Sequence, residues 1–443
     1  MMNSKDTCKK LMAYALEAAG EGAQAEVVMS EGSKKSVGVL VGKPQTYESA
    51  KSRGISLTVF IGTKQASSSC ENFTDDALKT LAEETAEMAR FTPENRDAFL
   101  AKPGQFITDV EARAKALDLA DETARELSVK DLQDMAYKLE NAALSVEGAK
   151  RCSAVEVKTN SGHITIMTSE GFEACVPSTS FIIHLNVLAG EGDDQTSEGD
   201  AAVKRHFDDL PDLEKLGRET AEKAVKKVGA KPLKSGRMPV VFDREVAAEL
   251  LDMFSGAIAG MAVDKGTTFL KDAMNEKIFS DLVTIEDDPT IPRALGSDPC
   301  DSDGIESTPL TLVENGVLKH WLLSLASAKR LNLEPNGRGD GTTNLYMKPG
   351  KAKRDDLLAS VERGFLVTGM IGHSLNLTTG DFSRGAEGFL IENGKITRPV
   401  SEVTIASNLK DMFLNMTPAD DLEMEMATNA PTVLVKEMTV AGL

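Results

Sequence analysis

The amino-acid sequence predicts an α+β fold: an N-terminal two-layer α/β portion followed by a strand-rich C-terminal domain with one central helix. Three observations support this prediction. Apolar and polar residues alternate in places between residues 25 and 62, apolar residues at helical spacing flank that stretch, and short strands and turns predominate after residue 300. A chain of 443 residues is too long for one small domain. We therefore divide it into three domains, 1–108, 109–234 and 235–443.

The first predicted domain combines two helices with a strand-rich stretch. Residues 5–20 indicate a helix with apolar residues along one face. The segments AEVVMSEG, SKKSVGVLV and ISLTVFIG follow, and each has the composition of a strand. A long amphipathic helix over 74–90 begins at a Thr/Asp cap, and the domain ends near the Pro/Gly loop at 102–105.

The second predicted domain places strands between two helical regions. Helical sequence opens it, and a lysine-rich helix closes it before a linker to the third domain. In chain order the segments are the helical region 110–148, split around Ser128, the strands 153–158, 163–168 and 180–188, a polar Gly/Asp/Ser segment at 190–200 and the helix 212–228.

The third predicted domain begins with the strand 238–242 and contains one well-defined helix, 245–261. Two Asn-Gly turns, at Asn393-Gly394 and within VENGVLKHWLL (313–323), predict β-hairpins, because these residues tolerate the positive φ of a type I′ turn. The second hairpin is either an internal repeat or the same turn chemistry used twice. The helix has a stripe typical of core packing, made of Val246, Ala247, Leu250, Leu251, Phe254, Ala257, Ile258 and Met261.

The composition is that of a globular protein with an acidic surface. Apolar residues make up 41% and charged residues 27%, and the formal net charge is −19 with a pI near 4.9. That charge opposes binding to nucleic acid or to an anionic membrane, and the most apolar stretch, 181–190, is too short to span a bilayer. The N-terminal sequence has no apolar signal region, and the five cysteines form no C-x-x-C pair. We therefore expect a cytoplasmic protein with no nucleic-acid or membrane partner.

Familiar catalytic and metal-binding motifs are absent from the sequence. No histidine is followed by glutamate, which excludes the His-Glu pair of a thermolysin-like zinc site. Residues 38–44 resemble a phosphate-binding loop, but the spacing is one residue short and Pro44 stands at the Ser/Thr position. The acidic stretch 281–309 suggests calcium, yet aligning Gly304 with the EF-hand glycine puts Pro299 at the first ligand position. A solvated acidic loop explains that stretch better.

The stretch GDFSRGAEGFLIENGKITRPV (380–400), followed by SEVTIASNLKDM, resembles the C-terminal signature of the TldD/PmbA family, and in particular its PmbA (TldE) branch. The family was formerly described as modulators of DNA gyrase and is now viewed as subunits of a zinc-dependent peptidase. The resemblance implies a largely antiparallel β C-terminal domain. It also implies a heterodimer with a TldD-type subunit that acts on unfolded or small peptides. The sequence leaves open whether the chain alone forms a homodimer. Further matching segments are 267–272, 282–289, 301–304 and 321–333.

The zinc ligands of the catalytic branch are missing from this chain. In that branch the helix after the strand 238–242 carries His-Glu-x-x-x-His, and here the corresponding residues are Asp252, Met253 and Ala257. The third ligand in those relatives is a cysteine just before the last strand, where this chain reads Thr428-Asn429-Ala430-Pro431, with Ala430 at the ligand position. One carboxylate does not replace about three protein ligands. The resemblance therefore implies that zinc belongs to the partner subunit and that this chain contains no metal ligand, cofactor or catalytic residue.

The glycine-rich segment before the Asn393-Gly394 hairpin is the one candidate site that the sequence offers. Its glycines permit backbone conformations closed to other residues, which suits a loop that faces a peptide or the partner subunit. A structural turn that leads into the hairpin is the alternative. An exposed guanidinium contributes little to folding, whereas a channel-lining arginine could bind peptide carbonyls or carboxylates, so we predict that Arg384→Ala keeps folding and partner binding but weakens peptide turnover. The segment consists of Gly380, Asp381, Phe382, Ser383, Arg384 and Gly385.

Other function classes remain open at this stage. The chain could be an independent hydrolase that uses polar groups of the glycine-rich loops, such as His373 and Asp381. It could also be a regulatory binding protein without metal. Both residues have a simpler explanation as polar, turn-forming residues beside strands. Metal content and a peptidase assay separate these alternatives.

Overall fold

The computed structural model describes residues 4–372 and 374–443, with 27% of residues in helices and 38% in strands. The predicted α+β class is confirmed. The helices are α1 (Ser4–Ala19), α2 (Asp75–Phe91), α3 (Val110–Ala116), α4 (Thr123–Glu126), α5 (Val129–Leu144), α6 (Leu213–Lys226), α7 (Arg244–Ala257), α8 (Gly260–Asp264), α9 (Leu325–Leu331), α10 (Arg354–Ala359) and α11 (Leu409–Leu414). The strands are β1 (Gln24–Leu40), β2 (Lys43–Ile61), β3 (Lys64–Cys70), β4 (Ala149–Thr168), β5 (Glu173–Ala189), β6 (Thr196–Lys204), β7 (Gly236–Phe242), β8 (Ile285–Asp287), β9 (Leu310–Glu314), β10 (Val317–Leu318), β11 (Leu345–Met347), β12 (Arg363–Ile371), β13 (Leu375–Asn376), β14 (Asp381–Glu392), β15 (Lys395–Asn408), β16 (Met416–Pro418), β17 (Thr428–Asn429) and β18 (Val433–Ala441).

The N-terminal half is organised around one antiparallel sheet with the strand order β3-β2-β1-β4-β5-β6. Helices α1 and α2 cover one end of the sheet, and α5 and α6 cover the other end. Both pairs lie on the same face, because the β1 residues beneath them, Val27 and Met29 at one end and Val37 and Val39 at the other, are all odd-numbered. The predicted domains 1–108 and 109–234 therefore contribute strands to a single sheet.

Several predicted strands merge into longer ones. The segments AEVVMSEG and SKKSVGVLV form the single strand β1, and the predicted strands 153–158 and 163–168 form β4. Polar residues separate the two predicted segments of each strand and interrupt the apolar pattern. The backbone pairing of β1 with β4 nevertheless continues through these residues without a shift. The polar segment 190–200 likewise enters β6, an edge strand held by its pairing with β5. Backbone hydrogen bonds need no apolar side chain, so composition alone does not reveal such strands.

The C-terminal domain contains a closed ring of strands. Strands β12, β7, β18, β15 and β14 pair in that order, and β14 pairs again with β12. All of these pairings are antiparallel except that of β7 with β12. The predicted largely antiparallel architecture is therefore confirmed. A smaller sheet follows the order β10-β9-β8-β11-β17.

The central helix is shorter than predicted, because α7 ends at Ala257 and α8 begins at Gly260. The Gly260 backbone N–H donates to the Leu322 carbonyl at 2.7 Å, so the chain turns towards a neighbouring segment instead of continuing the helix. Both predicted hairpins are confirmed, with Asn315 at φ 47° and Asn393 at φ 51° in the turns.

The acidic stretch 281–309 is not a solvated loop. Asp287 is fully buried in β8 and forms an ion pair with Arg338, whose side chain is also fully buried. Asp287 also accepts hydrogen bonds from the Thr343 backbone N–H at 2.8 Å and from the Thr343 hydroxyl at 2.9 Å. Part of this acidic sequence is therefore a structural ion pair.

In the part of the chain that the structure describes, no helix is both long enough and apolar enough to cross a membrane.

Candidate functional site

Helix α7 supplies the framework of the candidate site. Asp243 caps its N-terminus by accepting a hydrogen bond from the Arg244 backbone N–H at 3.1 Å. One side of the helix packs into the main C-terminal core, where Phe254 lies against Phe279 with ring centroids 5.2 Å apart. The opposite side carries Glu249 and Asp252, which are three residues apart and therefore lie on the same helix face.

Three of the four positions that carry zinc chemistry in the catalytic branch are occupied by buried apolar side chains. Met253 is 8% exposed, Ala257 is fully buried, and Ala430 is 2% exposed, and all three belong to the main C-terminal core. None of these side chains has a lone pair suited to zinc, apart from the weakly coordinating methionine thioether. The positions are therefore part of the packing of the domain.

The fourth position, Asp252, keeps a polar side chain. It is exposed, and Thr428 of β17 hydrogen-bonds to it. The protein around Asp252 removes part of its hydration and raises the pKa of the carboxyl above its ordinary value, while the bond from Thr428 opposes that rise. The structure thus brings α7 and the segment before the last strand together, as a shared zinc site would require, but of the four positions Asp252 alone carries a carboxylate.

The residues present do not fit zinc. Within residues 4–372 and 374–443, no group of three or more histidine, cysteine, aspartate or glutamate side chains is arranged to hold a metal ion. A catalytic zinc site needs about three protein ligands and an open position. Asp252 alone cannot supply them.

The predicted glycine-rich loop at 380–385 is instead the beginning of strand β14. It pairs with β15 on one side, from Asp381 opposite Asn408 onwards, and with β13 and β12 on the other. Glycine is required by close approach further along this strand, where a Cβ on Gly388 would lie 1.9 Å from the Leu366 carbonyl oxygen. Gly388 therefore permits dense strand packing, and the backbone of 381–385 is paired within the sheet.

Side chains along this segment alternate between inside and outside, as expected for a strand. Phe382 and Arg384 are buried, whereas Asp381 and Ser383 are exposed. Asp381 accepts hydrogen bonds from the Thr379 hydroxyl at 2.7 Å and from the Asn408 amide at 3.1 Å, which lower the pKa of its carboxyl. Asp381 and Ser383 are thus the side chains of the segment that can face a partner or a peptide.

Arg384 is buried in strand β14, whereas we predicted that it lies in a loop that faces a peptide or the partner. It is 8% exposed, and its Nη1 donates to Glu249 Oε2 on α7 at 3.4 Å. Its Nε is buried without a hydrogen-bond partner. The prediction failed because it treated the segment as a loop, whereas the alternation of β14 points Arg384 inward against α7. Arg384 therefore joins the glycine-rich strand to the helix that carries Asp252.

We expect Arg384→Ala to lower the free energy of unfolding by about 1–3 kcal/mol, because it removes a buried polar contact and the packing of a long side chain. Urea unfolding followed by circular dichroism measures this change. Lys395→Ala is the matched control, since Lys395 is an exposed cation on the adjacent strand β15 and its replacement should change stability by less than about 0.5 kcal/mol. Equal stability of the two variants would show that Arg384 has no structural role.

The α7 surface, which is the helix face that carries Glu249 and Asp252, lies beside the N-terminal half of the chain. Lys227, at the end of α6, is buried and forms ion pairs with Glu198 of β6 and with Glu387 of β14, the latter at 2.8 Å. Although burial alone would lower the pKa of Lys227, the two carboxylates together raise it above its ordinary value. Lys223 of α6 also approaches Glu245 of α7, at 3.6 Å. The edge strand β6 and helix α6 therefore form one side of the candidate site.

Ser4, Glu31 and His163 meet at one place in the N-terminal half and have the residue types of a hydrolytic triad. The Ser4 hydroxyl lies 3.3 Å from His163 Nε2, and Glu31 Oε2 lies 3.1 Å from that same nitrogen. A catalytic triad needs the acid on Nδ1 and the nucleophile on Nε2, so this cluster does not have triad geometry. His373, the other residue considered for hydrolysis, lies outside the described residues.

Comparison with known proteins defines the class of this chain. Three family models match it: PmbA/TldA metallopeptidase domain 1 over residues 25–89, the central domain over 122–228 and the C-terminal domain over 235–442. The chain belongs to the PmbA/TldD family of metallopeptidases.

Individual relatives cover almost the whole chain. Metalloprotease PmbA of Escherichia coli O157:H7 is 31% identical over 439 residues, which span 98% of this chain and 96% of that protein. A crystal structure from Bacteroides thetaiotaomicron, of a protein described as a candidate modulator of DNA gyrase, is 27% identical with a TM-score of 0.91 and covers 100% of both chains. TldE from Thermococcus kodakarensis has the same fold, with a TM-score of 0.82 at 20% identity, and the match covers 98% of this chain and 100% of TldE.

The sequence identified the family and the missing ligands but not the contacts that surround them. The Asp252–Thr428 and Arg384–Glu249 contacts join residues that are far apart in the chain. No local pattern signals such pairs. The start of β14 could have been recognised from its period-two pattern, in which Phe382 alternates with the polar Asp381 and Ser383. The glycines suggested a loop instead.

Proposed function

We propose that this chain is the subunit of a TldD/TldE-type zinc-dependent metallopeptidase that lacks the zinc ligands. It pairs in the cytoplasm with a TldD-type subunit that holds the metal and cleaves unfolded or small peptides. The observation that carries the proposal is the occupation of the zinc positions by core side chains: Met253, Ala257 and Ala430 pack inside the domain while the fold around them is retained.

The remaining polar residues support a binding role. Asp252 and Glu249 present carboxylates on the exposed face of α7, and Arg384 fixes that face against β14. Carboxylates at this position can pair with cationic or N–H groups of a peptide or of the partner. Because the β14 backbone is engaged within the sheet, we assign the contact with peptide or partner to exposed side chains, including Asp381 and Ser383.

We expect the purified chain to contain no stoichiometric zinc after dialysis, since three of the four positions carry no suitable donor group. Inductively coupled plasma mass spectrometry measures the zinc content directly. A TldD-type subunit purified in parallel is the control, with about one zinc per chain expected from its His-Glu-x-x-x-His motif and cysteine. About one zinc per chain in this protein would refute the proposal.

A further inference from the structure

A cleft of about 700 Å³ lies between the N-terminal sheet and the C-terminal domain. Strands β1, β4 and β5 form one wall, and the segment 297–302 forms the other. A volume of this size is typical of sites for small ligands or short peptide segments. None of the described residues that line the cleft belongs to α7, β14 or the segment 425–431. The cleft is therefore a second concave surface, separate from the α7 surface.

The floor of the cleft is apolar and faces away from the helices. Ile164 and Ile166 of β4 line it, whereas the β4 residues beneath the helices, such as Val155 and Val157, are odd-numbered and point to the other face. Ile164 is 49% exposed although it lies in the middle of the sheet. The aliphatic surface is therefore open to a ligand.

The opposite wall is held rigidly against the sheet. Gly304 adopts φ +79°, and a Cβ there would lie 2.6 Å from the ring of Phe172, so the turn packs directly on this ring. Asp301 closes the turn by accepting hydrogen bonds from the backbone N–H groups of Asp303 and Ile305, both at 3.0 Å. The wall that carries Asp298 thus has a defined position.

Asp298 is a carboxylate in this cleft without a countercharge in contact. It is exposed, it lines the cleft, and it forms no ion pair within the described part of the chain. Loss of hydration in the concave surroundings raises the pKa of Asp298, and the Cys300 backbone N–H and the charge of Arg205 offset this only in part. Burial, together with Asp303, raises the pKa of the neighbouring Asp301 to about 7. A cation bound here would compensate these carboxylates for their lost hydration.

Apart from Asp301, whose Oδ2 is buried without a hydrogen-bond partner, the other charged side chains on the cleft already have partners. Arg205 donates to the carbonyls of Ala294 at 2.9 Å and Leu295 at 2.8 Å. At the far end, Glu31 pairs with Arg53 at 2.8 Å, and Lys34 pairs with Glu48 at 2.6 Å. Asp298 is therefore the group best placed to bind an incoming charge.

We propose that the cleft binds a basic side chain of an extended peptide, with its aliphatic stem on Ile164 and Ile166 and its cationic head at Asp298. The choice of a peptide as the ligand rests on the proposed function. The apolar floor matches the methylene stem of arginine or lysine, and the carboxylate matches the charged head. This chain thereby supplies a preference for basic residues to a peptidase whose metal belongs to the partner.

Fluorescence polarisation with the full chain alone tests this proposal. The probe is a labelled, N-terminally acetylated ten-residue Gly/Ser peptide with one central arginine, compared with the same peptide carrying glutamine. Measurement at pH 8, above the pKa of Asp301, favours the ionised form of that carboxyl. We expect the arginine peptide to bind about tenfold more tightly, which is the effect of one charge-assisted contact.

Asp298→Asn should abolish this difference, because asparagine keeps the shape and the acceptor for the Cys300 N–H but removes the charge. Asp193→Asn is the control, since it removes one exposed carboxylate outside the cleft and should leave the tenfold preference intact. Ile164→Ser should weaken both peptides. Equal binding of the two peptides, no binding of either, or an unchanged preference in Asp298→Asn would overturn the proposal. Because no cleavage is measured, these outcomes leave the zinc and peptidase tests of the proposed function unaffected.

Discussion

Arg338→Met should lower the free energy of unfolding by about 3–5 kcal/mol, the largest stability effect we expect from a single substitution in this chain. The Arg338 and Asp287 side chains are both fully buried, and they form an ion pair. Arg338 also donates to the Asp287 backbone carbonyl at 3.1 Å. Removing the arginine leaves a buried carboxylate whose remaining side-chain partner is Thr343, a residue without charge.

Urea unfolding followed by circular dichroism measures this loss. Arg363→Met is the matched control, because Arg363 is an exposed arginine of the same domain and should change stability by less than about 0.5 kcal/mol. Replacing Asp287 with leucine in the Arg338→Met background should recover part of the stability, since it removes the uncompensated charge. A loss below 1 kcal/mol for Arg338→Met would contradict the ion pair as a structural element.

Lys227→Met should lower the free energy of unfolding by about 3 kcal/mol and loosen the contact between the two halves of the molecule. Lys227 is 5% exposed and holds Glu198 of the N-terminal sheet together with Glu387 of the C-terminal domain. Without the cation these two carboxylates repel each other across the interface. Limited proteolysis of the linker before β7 should therefore become faster in the variant.

The neighbouring residue provides the control for this prediction. Lys226 is exposed on the last turn of α6, so Lys226→Met removes one lysine from the same helix without touching the interface. We expect its stability and its proteolysis rate to match those of the unchanged chain. If both variants behaved alike, Lys227 would not join the two halves.

The sequence predicted the parts of the fold that depend on local chemistry. The hairpin turns follow from Asn315 and Asn393 with the glycines after them, which adopt positive φ as the type I′ turn requires. The apolar stripe of α7 predicted its packing, and Val246, Leu250 and Phe254 are indeed buried. In each case the information lies within a few residues along the chain.

What the sequence could not show depends on residues that are far apart in the chain. Arg384 is buried because it meets Glu249, which is 135 residues earlier in the chain. The glycines near it suggested a mobile loop, whereas Gly388 is needed because the Leu366 carbonyl lies too close for any side chain. Asp298 belongs to a ligand-sized cleft only because the segment 297–302 faces the sheet.

Family membership and the proposed absence of a zinc site in this chain lead to one account. The chain retains the fold of the PmbA/TldD metallopeptidases, while the positions that carry zinc chemistry in the catalytic branch are packed into its core. Under the proposed function, the chain contributes to peptide cleavage through binding and assembly. Its activity should therefore depend on a second subunit.

Peptide cleavage before and after mixing with a TldD-type subunit tests this account most directly. The measurement follows an unstructured fluorogenic peptide with this chain alone, with the TldD-type subunit alone and with the mixture, each with and without a zinc chelator. The account predicts no cleavage by this chain, cleavage by the mixture, and loss of that cleavage with the chelator. Robust, chelator-resistant cleavage by this chain alone would contradict the account and identify it as an independent hydrolase.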